Sequence, residues 1–361
     1  MSAKRWGWAL LALTLMGCDK APPPKGYAGL SQGSEGYGQV VPGRPFDFAV
    51  DHGPHTAFRI EWWYVTANLV DDAGEHYGVQ WTLFRNALRP GPAGEGWSDS
   101  NVWLGHAALT SATRQHSAQR VARGGVGQAG AAAAPFSAWI DNWSLTSVEP
   151  AAETLPEMQM RAQGADFAYD LTLRNQGPMI LQGEEGFSRK SDQGQASYYY
   201  SAPMISTEGW LEVDGKRIHV TGSAWLDREW SSQPLADDQP GWDWFALHLQ
   251  DGNQLMLYRM RRRDGADFLF GNWIDASGNS QAIEGQDIQL TPKAITSQQG
   301  REIPTTWALS IPSRDLEVTI QALNTDSWMN VSPPYWEGPV QVEGNQTGVG
   351  YMEMTGYEGS R

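Results

Sequence analysis

Carboxylates embedded among aromatic side chains give this sequence its clearest chemical potential. Four stretches carry them: Glu61-Trp62-Trp63-Tyr64, Tyr198-Tyr199-Tyr200, Trp225-Leu226-Asp227-Arg228-Glu229-Trp230 and Trp242-Asp243-Trp244-Phe245. In an extended chain alternate residues share a face, so Trp225, Asp227 and Glu229 point one way and Leu226, Arg228 and Trp230 the other. A carboxyl walled in by aromatic rings loses hydration, its pKa rises, and it can donate a proton near neutrality while the ring faces stabilise a developing cation. The bland reading is that Asp227 or Glu229 pairs with an arginine and the tryptophans only fill a core. His106, in the strand-like context Trp103-Leu104-Gly105-His106-Ala107, is a further candidate. Asp51, His52, His55 and His116 sit in what reads as loop sequence, where histidines are ordinarily solvated, so no metal and no cofactor are predicted.

The elements that must position these residues are strands. Leu316, Val318, Ile320 and Ala322 alternate with polar residues, as do Val340 and Val342, which is the period of half-buried β-structure. Asp214-Gly215 and Asp251-Gly252 lie between strand-like runs and predict type I′ hairpins, in which both central residues need positive φ. Helical periodicity is scarce, and the Gly- and Ala-rich stretch from Gly124 to Ala134 reads as a loop with at most a short helix. A faint repeat lays Trp62-Trp63-Tyr64-Val65 on Trp242-Asp243-Trp244-Phe245 at an offset of 180 residues, and each copy ends in basic residues after an Asp/Gly turn. A duplicated β-barrel or sandwich is the economical interpretation.

Charge and cysteine usage narrow the function. The 361 residues hold 26 Lys and Arg against 41 Asp and Glu, a formal charge of −15, which argues against a nucleic-acid partner. A single cysteine excludes a disulfide framework. That cysteine follows Lys4-Arg5 and the uncharged, mostly apolar run Trp6 to Met16, the layout of a secretory signal, and Leu15-Met16-Gly17-Cys18 resembles a bacterial lipobox. The expectation is a signal peptide over residues 1–17, lipidation at Cys18, and a Pro/Gly/Ser-rich tether over residues 18–45. By enteric sorting rules Asp19 favours the inner membrane, so the protein is expected in a bacterial envelope, membrane-anchored and facing the periplasm.

Six blocks together carry a family resemblance: Glu61-Trp62-Trp63-Tyr64, Gly105-His106-Ala107, Ala196 to Ser201, Gly222 to Trp230, Trp242 to Phe245, and the closing Gly348 to Tyr357. In these the chain resembles the AttH-type, lipocalin-like proteins, which are related to carotenoid 1,2-hydratases (hydroxyneurosporene synthases). The resemblance implies an all-β fold of two lipocalin-like barrels in tandem, placed here at residues 46–205 and 206–361. It also implies an ABC-transporter permease as partner. Hydratases of that superfamily share a His-x-Trp pair and a Tyr-x-Asp pair. The positions here read Tyr198-Tyr199-Tyr200 and Trp225-Leu226-Asp227, so Asp227 alone matches in kind.

Three readings follow. In the first, an envelope lipoprotein binds or carries a hydrophobic or amphipathic small molecule or lipid, lined by Glu61, Trp63, His106, Tyr198, Tyr200, Trp225, Asp227, Glu229, Trp242 and Trp244. In the second, the chain is a hydratase-like lyase or isomerase acting on an isoprenoid alkene, with Asp227 as general acid and Tyr198 beside it. In the third, the aromatics are packing alone and the protein is an assembly factor.

Overall fold

The computed structural model describes Leu30, residues 33–149 and residues 154–357. The expected signal peptide and Cys18 lie outside the described residues. The fold is all-β, built from two antiparallel sheets that each curl into a barrel-like unit. The first sheet is 13-stranded, and at its centre Ile60–Asp71 pairs on one side with His76–Ala87 and on the other with Lys216–Ser231. Lys216–Ser231 pairs in turn with the long strand Ala196–Val213. The second sheet is 10-stranded, with Gly241–Leu249 between Gln254–Arg261 and Gly348–Met354. Residue 206 falls inside Ala196–Val213, so the change of sheet comes later than the sequence suggested, between Ser231 and Gly241.

Alternation divides the central strands between two environments. Trp63, Val65, Ala67 and Leu69 enter the core of the first unit, whereas Ile60 and Tyr64 face the second unit. Phe245, Leu247 and Leu249 enter the core of the second unit, and Trp244 and Ala246 face back toward the first. These strands are therefore buried on both faces, which is why they read as near-continuous apolar and aromatic runs. The sequence repeat corresponds to the paired hairpins Ile60–Asp71/His76–Ala87 and Gly241–Leu249/Gln254–Arg261.

Local departures from the expected elements have identifiable causes. Asp214 and Gly215 both take positive φ, as a type I′ turn requires. At Asp251-Gly252 only the glycine does; the Asp251 carboxylate accepts from the Asn253 N–H at 3.0 Å and supports a longer loop. The Gly/Ala-rich stretch forms the strand Ala129–Ala132, paired with Ser137–Ile140. Small residues suit it because a side chain at Gly130 would strike the Trp139 indole. The stretch expected as tether is docked from residue 33 onward: Tyr37 Oη donates to the Ala87 carbonyl at 2.9 Å, Tyr198 Oη accepts from the Val41 N–H at 3.0 Å, and Arg44 bonds Asp51.

Each unit also buries a carboxylate between two arginines. Glu61 is held by Arg85 and, at 2.7 Å, by Arg228, whose guanidinium lies 3.7 Å from the Trp63 ring centre. Burial works against the Glu61 anion, but Arg85, Arg228 and His55 outweigh it and hold its pKa well below the ordinary range. Asp243 is held by Arg259 at 2.8 Å and Arg261 at 2.5 Å. Removing one partner of such a group strands the others, so Glu61→Leu and Asp243→Leu are each expected to cost about 3–5 kcal/mol in urea unfolding. A loss below about 1 kcal/mol would show that these clusters are dispensable.

A candidate acid site between the two sheets

A cavity of about 340 Å³ lies where the two units meet. Its first wall comes from the outward faces of three adjacent strands: Ile60, Trp62 and Tyr64, then Thr82, Phe84 and Asn86, then Leu104 and His106. The second unit supplies Trp242, Trp244, Tyr258, Met260 and Glu353. Asp227 and Glu229 enter from Lys216–Ser231, Lys190 from the connection before Ala196–Val213, and Leu30 contributes to the lining.

Asp227 is 3% exposed and has a defined orientation. Ser201 Oγ donates to its Oδ1 at 2.5 Å and Trp225 Nε1 donates to the same oxygen at 2.7 Å. Ser201 is itself fixed by Gln182, at 2.9 Å, and Gln182 by Asn272 of the second unit, again at 2.9 Å. With Ser201 and Trp225 both donating to Oδ1, that oxygen acts as an acceptor, which favours Oδ2 as the protonated one. Burial is the dominant influence and raises the Asp227 pKa to about 7; the bonds from Ser201, Trp225 and Tyr199 oppose it and Glu229 adds to it. Tyr199 Oη accepts from Trp244 Nε1 at 3.2 Å, which ties the acid's surroundings to the second sheet.

Two further acids share this environment. Glu353 accepts from Trp242 Nε1 at 2.6 Å and is pushed up to about 8, by burial first and then by Asp227 and Glu229. Glu337 stands opposite Glu353 in the strand register, accepts from Tyr64 Oη, and is raised well above the carboxylate range by burial and by Glu353. Glu229 differs from both, since Lys190 Nζ lies 2.8 Å from its Oε1. His106 bonds Tyr335 Oη at 3.1 Å, and burial lowers its pKa to about 4, so its imidazole is neutral at pH 7. The site is thus an apolar, aromatic chamber whose walls carry two carboxyls with raised pKa, Asp227 and Glu353, and one ion pair.

The comparisons with known proteins bear on this geometry. The AttH-like family model matches residues 39–357. The chain belongs to the AttH-like family. A crystal structure of an AttH candidate from Nitrosomonas europaea is 32% identical, with 89% of this chain and all of that one covered and a TM-score of 0.78. Kievitone hydratase from Nectria haematococca shares 15% identity over 92% of this chain and 98% of its own, with a TM-score of 0.68. CghA, solved with Sch210972, shares 12% over 90% and 97%, with a TM-score of 0.53. Those last two likenesses are of fold alone. A search among curated proteins gave no match.

The AttH-like chain brings only some of the expected site residues together. His106, Asp227, Glu229, Trp242 and Trp244 line the cavity, and Trp225 stands behind it as a donor to Asp227. Glu61, Trp63, Tyr198 and Tyr200 do not belong to that lining. Glu61 and Trp63 face the interior of the first unit, while Tyr198 and Tyr200 pack with Trp230, Phe46 and Phe48 on the opposite face of their strand. The aromatic triplet presents its other face to the acid: Ser201 pairs with Asp227 and Tyr199 with Glu229, so Ser197, Tyr199 and Ser201, not Tyr198 and Tyr200, share the acid's face. Asp51 and His52 are buried, not solvated, and His55 bonds Asp51 at 3.1 Å and Glu61 at 3.2 Å while stacking on Trp230. His116 lies in the strand Gln115–Arg123.

Sequence reasoning missed Lys190, Tyr199, Tyr258, Glu337 and Glu353. Alternation in the closing block could have found Glu353, since Met352 and Met354 enter the second core and leave Tyr351 and Glu353 on the other face. Nothing local marked Lys190, which reaches the site from outside the aromatic blocks.

The raised Asp227 pKa carries a stability consequence. The native state favours the protonated form, so the associated stability is fully present below the ordinary value of 3.8 and is lost as pH rises through about 7. Asp227→Asn, which cannot ionise, should therefore gain in melting temperature over the parent from pH 4 to pH 8. A difference that stays flat across this range would show that Asp227 titrates normally.

Proposed function

We propose that this protein is an acid catalyst that binds an apolar, alkene-bearing molecule between its two sheets and protonates it from Asp227. The observation that carries the reading is the setting of Asp227: a buried carboxyl that lines the aromatic cavity and is held there by Ser201 and Trp225 on Oδ1. An acid with a pKa near the working pH combines a useful protonated fraction with a driving force for transfer. In a hydration, the proton moves from Oδ2 to one alkene carbon and the other becomes cationic beside the π faces of Trp62, Trp242 and Trp244. Water then adds to the cation and surrenders a proton to the Asp227 carboxylate, which restores the acid. Loss of a neighbouring C–H proton in place of water addition gives an isomerisation on the same atoms.

The volume sits at the low end of ligand pockets and suits a compact molecule. A neighbour in fold is by its name a hydratase, which supports the class of chemistry without fixing the substrate. The cellular setting we propose is the bacterial envelope, with the chain anchored through Cys18 beside an ABC-transporter permease. Radiolabelled palmitate should then enter the parent and not Cys18→Ser.

The decisive experiment incubates the full-length protein with small trisubstituted alkenes in deuterated water and follows solvent deuterium into recovered material. Hydration and isomerisation both leave that mark. Asp227→Asn should slow incorporation by about 10²–10⁴-fold, and the parent rate should fall about tenfold per pH unit above about pH 7. Retention of the alkenes with no deuterium uptake by the parent would replace catalysis with carriage, the reading in which the cavity only holds its ligand.

A further inference from the structure

The mechanism above uses Asp227 and the aromatic walls but leaves one charged feature of the cavity without a role. Lys190 and Glu229 both line it and are almost wholly buried, 6% exposed in each case. Lys190 Nζ lies 2.8 Å from Glu229 Oε1, 3.2 Å from Ser188 Oγ, and over the rings of Tyr258 and Tyr199 at 4.4 and 4.9 Å. Ser197 Oγ donates to the same Glu229 Oε1. The two contacts on the carboxylate, from Lys190 and Ser197, both fall on Oε1, and Glu229 and Lys190 both line the cavity, where Oε2 can accept a further hydrogen bond.

A buried ion pair is weak support for a fold, since apolar residues of the same volume often serve stability as well or better. Set into an otherwise aromatic chamber, it offers a bound molecule a donor and an acceptor side by side with no net charge. An anionic head group would meet Glu229 as well as Lys190, and a cationic one would meet Lys190 as well as Glu229. A neutral hydroxyl satisfies both, accepting from the ammonium and donating to the carboxylate. The distance to the acid is set by the strand: Asp227 and Glu229 are alternate residues on one face, about 6–7 Å apart. We propose that the Lys190–Glu229 pair is a hydroxyl-recognition subsite, and that the substrate is a neutral alkenol whose hydroxyl lies several bonds from the carbon that Asp227 protonates.

This deepens the proposed function and rests on the cavity being its ligand site. The test uses the full-length chain in lipid nanodiscs, with empty nanodiscs as the blank. Isothermal titration compares citronellol, a neutral trisubstituted alkenol, with its O-methyl ether and with citronellic acid, which is an anion at pH 7.5. The parent should bind the alcohol at least about tenfold more tightly than either analogue, the discrimination that a buried donor–acceptor pair left unmatched imposes. In Lys190→Met/Glu229→Met, which removes both charges together, the three affinities should converge to within about twofold while the apolar body still binds.

Equal binding of the three probes by the parent would overturn the subsite while leaving the cavity reading intact, and preference for the acid would overturn it in favour of an anion site. Failure of all three probes to bind would overturn both proposals. The comparison within the parent needs no variant, so a double variant that failed to fold would not protect the proposal.

Discussion

The structure depends on strands that are buried on both faces. In a single barrel the outward face of each strand meets solvent, and alternation of apolar with polar residues follows. Here the outward faces of Ile60–Asp71 and Gly241–Leu249 meet each other's units, so Tyr64 and Trp244 pack edge to face with ring centres 5.3 Å apart. Burial on that second face supplies the low dielectric that raises Asp227, Glu337 and Glu353, and it brings in the aromatic walls.

Arginine decides which buried acids stay charged. Glu61 and Asp243 each have two guanidiniums in contact, and the Glu61 anion survives complete burial. Among the described residues no arginine lines the inter-sheet cavity, where Lys190 pairs with Glu229 and burial raises the pKa of Asp227 and Glu353. Buried carboxyls thus divide into those paired with arginines within the units and those whose pKa burial raises between them. The first kind organises backbone and rings: Arg228 also reaches the Trp62 carbonyl at 3.1 Å. The second kind is costly to a fold, and carboxyls so perturbed cluster at functional sites.

Much of this was legible in the sequence, and the failures share a cause. Strand periodicity, the hairpin repeat and the aromatic–acid clusters are local, and each corresponds to an observed element. The family followed from blocks spread over most of the chain, and the family match spans residues 39–357. What one strand cannot reveal is which of its faces meets which partner. Glu61-Trp62-Trp63-Tyr64 contributes Glu61 and Trp63 to one environment and Trp62 and Tyr64 to another, and nothing in the four letters says which is the site. For Tyr198-Tyr199-Tyr200 the composition is identical on both faces, so only the register with Asp227 settles the phase. Lys190 and Leu30 reach the cavity through tertiary packing that leaves no periodic trace.

The same geometry places the cavity between the two barrel-like units and not inside either. A lipocalin-type site lies inside the barrel, but these interiors are filled: Trp63, Trp81 and Trp143 are buried in the first core and Trp307 and Trp336 in the second. Space for a ligand exists where the outer faces meet, and its composition comes from both units. Asp227 is oriented from its own sheet by Ser201 and Trp225, yet Ser201 is fixed through Gln182 by Asn272 of the other sheet. Tyr199 is likewise held by Trp244. Neither unit alone both buries this carboxyl and fixes its partners, so the environment of Asp227 exists only where the two units meet.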